Sequence, residues 1–417
     1  MNSPGADNSR GPNRRLAPRP LPAHLASATM LWLTSRAALP VLKNASLLSN
    51  AAGDQLCALA AEIEALGAEP VAKALDIEIG RRAEAYLAGL EAYRRHPFRR
   101  HSASLPVVWR EGTTQLLDYG CNSIGPTVLV IPSLINRYYV LDLLPERSFL
   151  RHLASSGLRT LVIDWGTPGS EERHFDLTGY IVERLEAGFA AAAEVAGAPV
   201  GIVGYCMGGL LALALALRRR AEVGCLALLA TPWDFHAQNG RGRLLALVAD
   251  CLAGVHGTAG SVPVEVIQTL FFFLDPFSAE RKFRRFAALD PESEEARRFV
   301  ALEDWINDGV PLALGVARDC GRSWYGDNEP CRGLWQVAGD PVRPQLLGRP
   351  ALAVVPGRDR IVPPSAAEPL AAALGTATLL RPSLGHIGMM AALRAPAILW
   401  TPIAAWLRTQ LGEPKAR

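Results

Sequence analysis

No two cysteines in this 417-residue sequence are spaced as C-x-x-C, so the commonest signature of a zinc site is missing and no metal is expected. The seven cysteines, at 57, 121, 206, 225, 251, 320 and 331, are scattered and odd in number. With no secretory signal visible, they read as reduced thiols in a cytoplasmic setting. Also lacking is an 18-residue window that is apolar and free of charges and breakers, so no transmembrane segment is expected. The nearest approach, 245–274, is interrupted by Asp250, His256 and several glycines. Charge of one sign is scarce too. The formal net charge is +3, and four arginines against Asp7 in the first 22 residues account for all of it. The remainder is neutral, so no nucleic-acid partner is expected. Neither a Walker motif nor a Rossmann glycine pattern occurs, and no cofactor is expected.

What the chain does have is apolar sequence, 49% of it, enough for a large core. The opening 1–22, rich in Pro, Arg, Ser and Asn, reads as a disordered tail. From 23 to 100 apolar residues recur every three or four positions, as in "LCALAAEIEALGAEPVAKAL". This predicts a helical segment, packed on the main domain or pairing two copies into a homo-oligomer. The texture then changes. "PVVWRE" and "TQLLDYG" flank a Gly-Thr turn as a hairpin, and "TVLVIP", "LRTLVIDW", "PVGIVGY", "VGCLALLATP", "ALAVVPG" and "ATLLRP" read as buried strands separated by helices. Such alternation predicts an α/β fold, a mostly parallel sheet flanked by helices over 101–232 and 351–417. The interval 233–350 breaks the rhythm. It is mostly helical, with "TLFFFLDPF" and Trp305, Trp324 and Trp335 read as core tryptophans, and its place between two strands predicts a lid above their carboxyl ends.

One strand runs directly into Gly204-Tyr205-Cys206-Met207-Gly208-Gly209, and a helix follows. This is the strand-turn-helix setting of the nucleophile elbow G-x-S-x-G, with cysteine in place of serine. The glycines let the turn close, the helix N-terminus favours a thiolate at Cys206, and the Met207 N–H points towards an oxyanion. A second oxyanion N–H is expected near Leu134, in the loop after "TVLVIP". A base should lie downstream of the nucleophile. His386, in "SLGHIGMM" after the last strand, fits; His236 and His256 fall in the lid interval and read as surface or packing groups. For the acid, Asp359 in "VVPGRDRIVPP" follows the preceding strand, with Asp234 in "TPWDF" as its rival. The basic stretch "YRRHPFRRH" reads as a solvated face rather than a phosphate site, and Tyr138 and Tyr139 either line the pocket or pack.

These blocks together resemble the polyhydroxyalkanoate synthase family, the cysteine-type branch of the α/β-hydrolase fold. The resemblance spans about residues 85–395 and rests on "VLVIPSLINRYYVLDLLPERSFLRHLASSGLRTLVIDW", "GYCMGG", "DRIVPP" and "GHIG". It implies Cys206 as acyl carrier with Asp359 and His386 as partners, 3-hydroxyacyl-CoA as substrate, and a growing polyester or granule surface as the second partner. The chain departs from the family in carrying Arg360 where members commonly have histidine after the acid. The block "LEDWINDGVP" follows the Trp-Asn-x-Asp lid pattern only loosely, and the N-terminal segment is shorter than in long members.

The chemistry of sulfur accounts for the cysteine. A thiolate exchanges with a thioester at nearly equal free energy, so an acyl group remains activated on the protein and can pass to an alcohol. Passing it to an alcohol rather than water requires a dry cover. Three readings follow: an acyltransferase polymerising 3-hydroxyacyl-CoA; a thioesterase, esterase or polyester depolymerase with the same triad; and a non-catalytic granule or partner-binding protein.

Overall fold

A computed structural model of the chain describes residues 15, 18–41, 51–100, 104–121, 123–237 and 260–412. Most of the expected tail, and His256, lie outside the described residues. The chain divides into two compact units, one of residues 1–98 and 271–307 and the other of 99–270 and 308–417.

The larger unit is built on an eight-stranded sheet. Its strands are β1 (Val107–Glu111), β2 (Thr114–Asp118), β3 (Thr127–Ile131), β4 (Arg159–Asp164), β5 (Val200–Tyr205), β6 (Val223–Leu229), β7 (Ala351–Val354) and β8 (Thr378–Leu380), in the spatial order β1-β2-β4-β3-β5-β6-β7-β8. The contacts of β2 with β1 and β4 are antiparallel, and every pairing from β4 to β8 is parallel. This is the expected α/β class, with each of the strands read from the sequence present. The central strands are covered on both faces, which is why they are apolar runs rather than alternations: every residue of "TVLVI", "VGIVGY" and "ALAV" is buried.

The helix Met207–Arg218 follows β5 without a linker, and all of Met207–Ala216 is buried. So close a return of the chain is possible only because of glycine. A Cβ on Gly204 would lie 2.5 Å from the Gly209 Cα, and one on Gly208 would meet the carbonyl oxygens of Ile131 and Pro132 at the end of β3.

The smaller unit is helical: Leu21–Ala38, Ala51–Leu66, Ala68–Arg95, Ser278–Phe286 and Glu294–Asn307. Its core joins Ala28, Tyr86, Leu90 and Tyr93 to Phe283, Phe286, Ala296 and Val300. Gly89 admits the backbone of Phe283, and Asp304 accepts hydrogen bonds from Arg15 at 2.7 Å and Tyr93 at 2.9 Å. The division therefore differs from the expected one. Residues 271–307, including Phe271–Phe273 and Trp305, group with the N-terminal helices instead of forming a single 233–350 insertion. Helical periodicity reveals that a helix has an apolar face but not which other helix will cover it. Trp324 and Trp335 are buried in the larger unit, 5.5 Å apart.

Replacing Gly208 by alanine tests the close return. Because a Cβ has no room against two carbonyls, Gly208→Ala is expected to lower stability by about 1–3 kcal/mol or more in urea unfolding and to slow alkylation of Cys206.

Candidate active site

Cys206 sits at the turn between β5 and the helix with φ 55° and ψ −126°, a conformation side chains rarely adopt. Its own N–H is held by the Leu229 carbonyl at 2.9 Å, and its carbonyl accepts from Gly209 N–H at 2.9 Å. The side chain is partly exposed and packs beside Val355, Val362, Ala366 and Ala367. Among the described residues the N–H groups of Met207 and Leu134 have no hydrogen-bond partner, whereas the N–H of Ile135 is taken by Ser133 Oγ at 3.1 Å. The two N–H groups expected as oxyanion donors thus have no hydrogen-bond partner among the described residues, one following β3 and the other β5 in the chain.

Asp359 and His386 are brought together by the loops after β7 and β8, which continue the ladder beyond the strands. Val355 N–H bonds the Leu380 carbonyl at 2.9 Å, Gly357 N–H that of Pro382 at 3.0 Å, and Arg358 N–H that of Leu384 at 2.9 Å. The next residue, Asp359, accepts from His386 Nδ1 at 2.7 Å through Oδ2. Its Oδ1 accepts from the N–H groups of Ile361 and Val362 at 2.8 and 2.9 Å, which fixes the carboxylate plane. Both side chains are buried. With Nδ1 committed to Asp359, the His386 imidazole keeps Nε2 available and lies within electrostatic reach of Cys206. Burial alone would pull the imidazole pKa down, but the Cys206 charge, the hydrogen bonds to Asp359 and Cys206 and the Asp359 charge outweigh it and push it up to about 10.

Asp234, the rival acid, is engaged elsewhere. Its Oδ1 accepts from Asn328 Nδ2 at 2.8 Å and from the His236 N–H at 2.9 Å. His236 Nε2 in turn meets the carbonyls of Tyr325 and Gly326 at 3.0 and 3.1 Å. Asp234 and His236 therefore tie down the segment 320–328, part of the expected lid. Tyr138 and Tyr139 follow the β3 loop, and Tyr139 donates to Asp308 at 2.9 Å.

Two aromatic residues near the His386–Asp359 pair or within electrostatic reach of Cys206 escaped the sequence reading. Tyr205 is buried, its ring 5.2 Å from that of His386, and its hydroxyl donates to the His386 carbonyl at 3.3 Å. Its place before Cys206 was visible, but not that its side chain turns to the base. Tyr325 packs edge-on against Phe235 at 4.9 Å. Burial raises its phenol pKa, and the charges of Cys320 and Cys206 raise it further, so it lies within electrostatic reach of the sulfur. The one sequence signal for this wall is "YGDN", where Asn328 takes a left-handed turn with φ 52°.

Residues 128–397 match the model of the alpha/beta hydrolase family, and the chain belongs to that family. A second model, described as the N-terminus of poly-beta-hydroxybutyrate polymerase (PhaC), matches residues 102–153. The poly(3-hydroxyalkanoate) polymerase subunit PhaC of Haloferax mediterranei is 27% identical over 312 residues, 72% of this chain and 63% of that protein. Its namesake in Allochromatium vinosum is 27% identical over 67% of this chain and 80% of that protein. The chain spans 63% and 66% of the lengths of the Haloferax mediterranei and Haloarcula marismortui polymerases, a little under two thirds. A thermophilic esterase from Thermogutta terrifontis superposes with a TM-score of 0.44 at 17% identity, over 75% of this chain and all of that one. The resemblance read from the motifs, to polyhydroxyalkanoate synthases on an α/β-hydrolase fold, is the one these comparisons return. Among the described residues no helix is long and apolar enough to cross a membrane.

The charge on His386 is open to measurement. An NMR titration of its ring should show imidazolium persisting well above pH 7, with a midpoint near 10. Cys206→Ala and Asp359→Asn should each move the midpoint down, since each removes a cause of the shift. By linkage, a raised folded-state value stabilises fully below the unfolded value of 6.5, and the gain is lost as pH rises through about 10.

Proposed function

We propose that this chain is a cysteine-based acyltransferase that polymerises 3-hydroxyacyl-CoA into polyhydroxyalkanoate. The observation that carries the reading is a thiol at the elbow within electrostatic reach of a buried His386–Asp359 pair, where most folds of this class use a hydroxyl. The names of the curated relatives supply the substrate class.

The steps follow from the charges. Cys206 thiolate attacks the thioester carbonyl, whose electron pair moves to oxygen beside the N–H groups of Met207 and Leu134. Collapse expels CoA thiolate, which takes the proton of the His386 imidazolium. Acylation removes the negative charge from sulfur, and with it two of the causes that hold His386 protonated. The imidazole is then a base, oriented by Asp359, for the 3-hydroxyl of the next acyl group. The alkoxide attacks the Cys206 thioester, an oxygen ester forms, and the thiolate returns. No cofactor takes part, and CoA enters only as the substrate's leaving group. A cytoplasmic setting suits this substrate, and the product would be handed to a polyester or granule surface.

Incubation with 3-hydroxybutyryl-CoA tests the reading by following both CoA release and product size. CoA release without matching free 3-hydroxybutyrate, and with oligomer formed, is the expected outcome; free acid equal to CoA from the first turnovers would make water the acceptor and the protein a hydrolase. Cys206→Ala should abolish CoA release, and Cys206→Ser should be nearly as poor, because a hydroxyl is far less acidic than a thiol. Asp359→Asn should cost on the order of 10⁴-fold in turnover, as expected when a catalytic imidazole loses its orienting carboxylate.

A further inference from the structure

The loop after β3 presents the Leu134 N–H, and its near end is firmly fixed. Trp165 Nε1 donates to the Pro132 carbonyl at 3.1 Å, Ser133 Oγ accepts from Ile135 N–H at 3.1 Å, and the Leu134 side chain is buried. Beyond Leu134 the chain turns through Asn136, in the left-handed region with φ 71°. The two residues that leave this turn are gripped by one carboxylate from a distant part of the sequence. Asp308 Oδ2 accepts from the Tyr139 hydroxyl at 2.9 Å and pairs with Arg137 Nε at 3.0 Å. The following residue, Gly309, lies flush against the same turn. A Cβ there would stand 3.4 Å from Asn136 Oδ1, 3.2 Å from Gln268 Nε2 and 2.9 Å from Val264 Cγ1. Burial and the Asp308 charge raise the Tyr139 phenol pKa, so it remains a donor across the physiological range.

We infer that Asp308 is a positioning residue: through Arg137 and Tyr139 it fixes the loop that presents the Leu134 N–H, and so sets one arm of the oxyanion site. The inference rests on the reading of Leu134 and Met207 as the two donors. Oxyanion donors act by being in place before charge develops, and a site whose supporting contacts are loosened by even a fraction of an ångström forfeits much of their effect. Trp165 and Ser133 hold the near end of the loop, and at the far end Arg137 Nη2 also reaches Thr167 Oγ1 at 3.5 Å while the Arg100 guanidinium lies over the Tyr139 ring at 4.3 Å. Asp308 engages both Arg137 and Tyr139 through a single carboxylate oxygen, and it and Gly309 belong to the segment that interrupts the sheet. The same stretch that supplies the expected cover thereby completes the electrostatic site.

Two electrophiles separate this role from general damage. Iodoacetamide alkylates the Cys206 thiolate by displacement at carbon: the sulfur–carbon bond forms as iodide leaves, and no charge builds on a carbonyl oxygen. p-Nitrophenyl acetate acylates the same sulfur through an oxyanion, whose electron pair returns as p-nitrophenolate leaves. Only the second reaction uses the donors. In the full chain, Asp308→Ala is expected to slow acylation about ten-fold or more, short of the loss of about 10²–10³ on removing a donor outright. Alkylation should remain close to the unaltered rate. Asp308→Asn, which keeps an acceptor for Tyr139, should fall between and guards against a misfolded alanine variant. Acylation unchanged in Asp308→Ala, or both reactions slowed in parallel in both variants, would overturn the inference. A split between the two reactions in a protein that releases no CoA from 3-hydroxybutyryl-CoA would keep this role for Asp308 and remove the polymerase reading instead.

Discussion

The site depends on how closely the helix after Cys206 is drawn onto the sheet. Gly204, Gly208 and Gly209 meet β3, the helix itself and Thr231 at distances that leave no space for a side chain. That approach forces Cys206 into a positive φ, which costs about 1–3 kcal/mol. The helix more than offsets it. Leu210, Leu211, Leu213 and Leu215 are fully buried, and each contributes about 1.5–3 kcal/mol. The strain is therefore held by apolar burial on the far side of the turn. In return the sulfur is presented at the helix N-terminus, next to free N–H groups and with His386 within reach.

From that geometry the electrostatics follow in order. A buried imidazole by itself would be neutral. Here Asp359 fixes one nitrogen, and the charges of Cys206 and Asp359 favour the protonated form and push its pKa up. The Asp359 carboxylate would itself be costly to bury, but two N–H groups and His386 satisfy it. The Tyr205 ring, tilted by 33° against the imidazole, adds an apolar wall on one side, and its hydroxyl holds the backbone from which His386 projects. On the proposed reading, the pair is an ion pair before acylation and a neutral base after it, with no group moving.

How much of this the sequence disclosed depended on the range of the interaction. The strands were legible because a strand buried on both faces must be apolar throughout, and the elbow because its glycines obey a local steric rule. Asp359 and His386 could be placed at the ends of β7 and β8 because the chain order of this fold orders them, and the structure sets them 2.7 Å apart. The rest was not legible. Asp234 and Asp359 both follow strands, and only the loop ladder between Val355 and Leu384 distinguishes them. The grouping of residues 271–307 with the N-terminal helices turns on Gly89 admitting Phe283, a match of two surfaces far apart in sequence. Tyr205, Tyr325 and Asp308 lie in stretches the sequence marks, "GYCMGG", "YGDN" and "LEDWINDGVP", but the patterns do not give their roles. Their roles come from the directions in which their side chains leave the backbone, which a one-dimensional pattern does not encode.

Triad chemistry does not choose between an alcohol and water as acceptor, since the same imidazole would deprotonate either. The choice belongs to whatever surrounds the thioester. Cys206 itself packs beside Val355, Val362, Ala366 and Ala367, and the same unit holds an aromatic cluster: Phe235 stacks on Trp324 at 5.6 Å, Trp324 meets Trp335 at 5.5 Å, and Tyr325 packs on Phe235. Aromatic packing alone would leave such a wall free to slide. Here polar contacts pin it at specific atoms: Asn328 bonds the Phe235 N–H at 3.0 Å and Asp234 at 2.8 Å, and His236 meets two carbonyls of the π-helical turn that carries Tyr325. A pinned apolar wall beside a reacting group would exclude water without having to close first. On the proposed reading, a site kept dry in this way would favour transfer over hydrolysis in the resting protein, and dryness also strengthens the charges of Asp359 and His386.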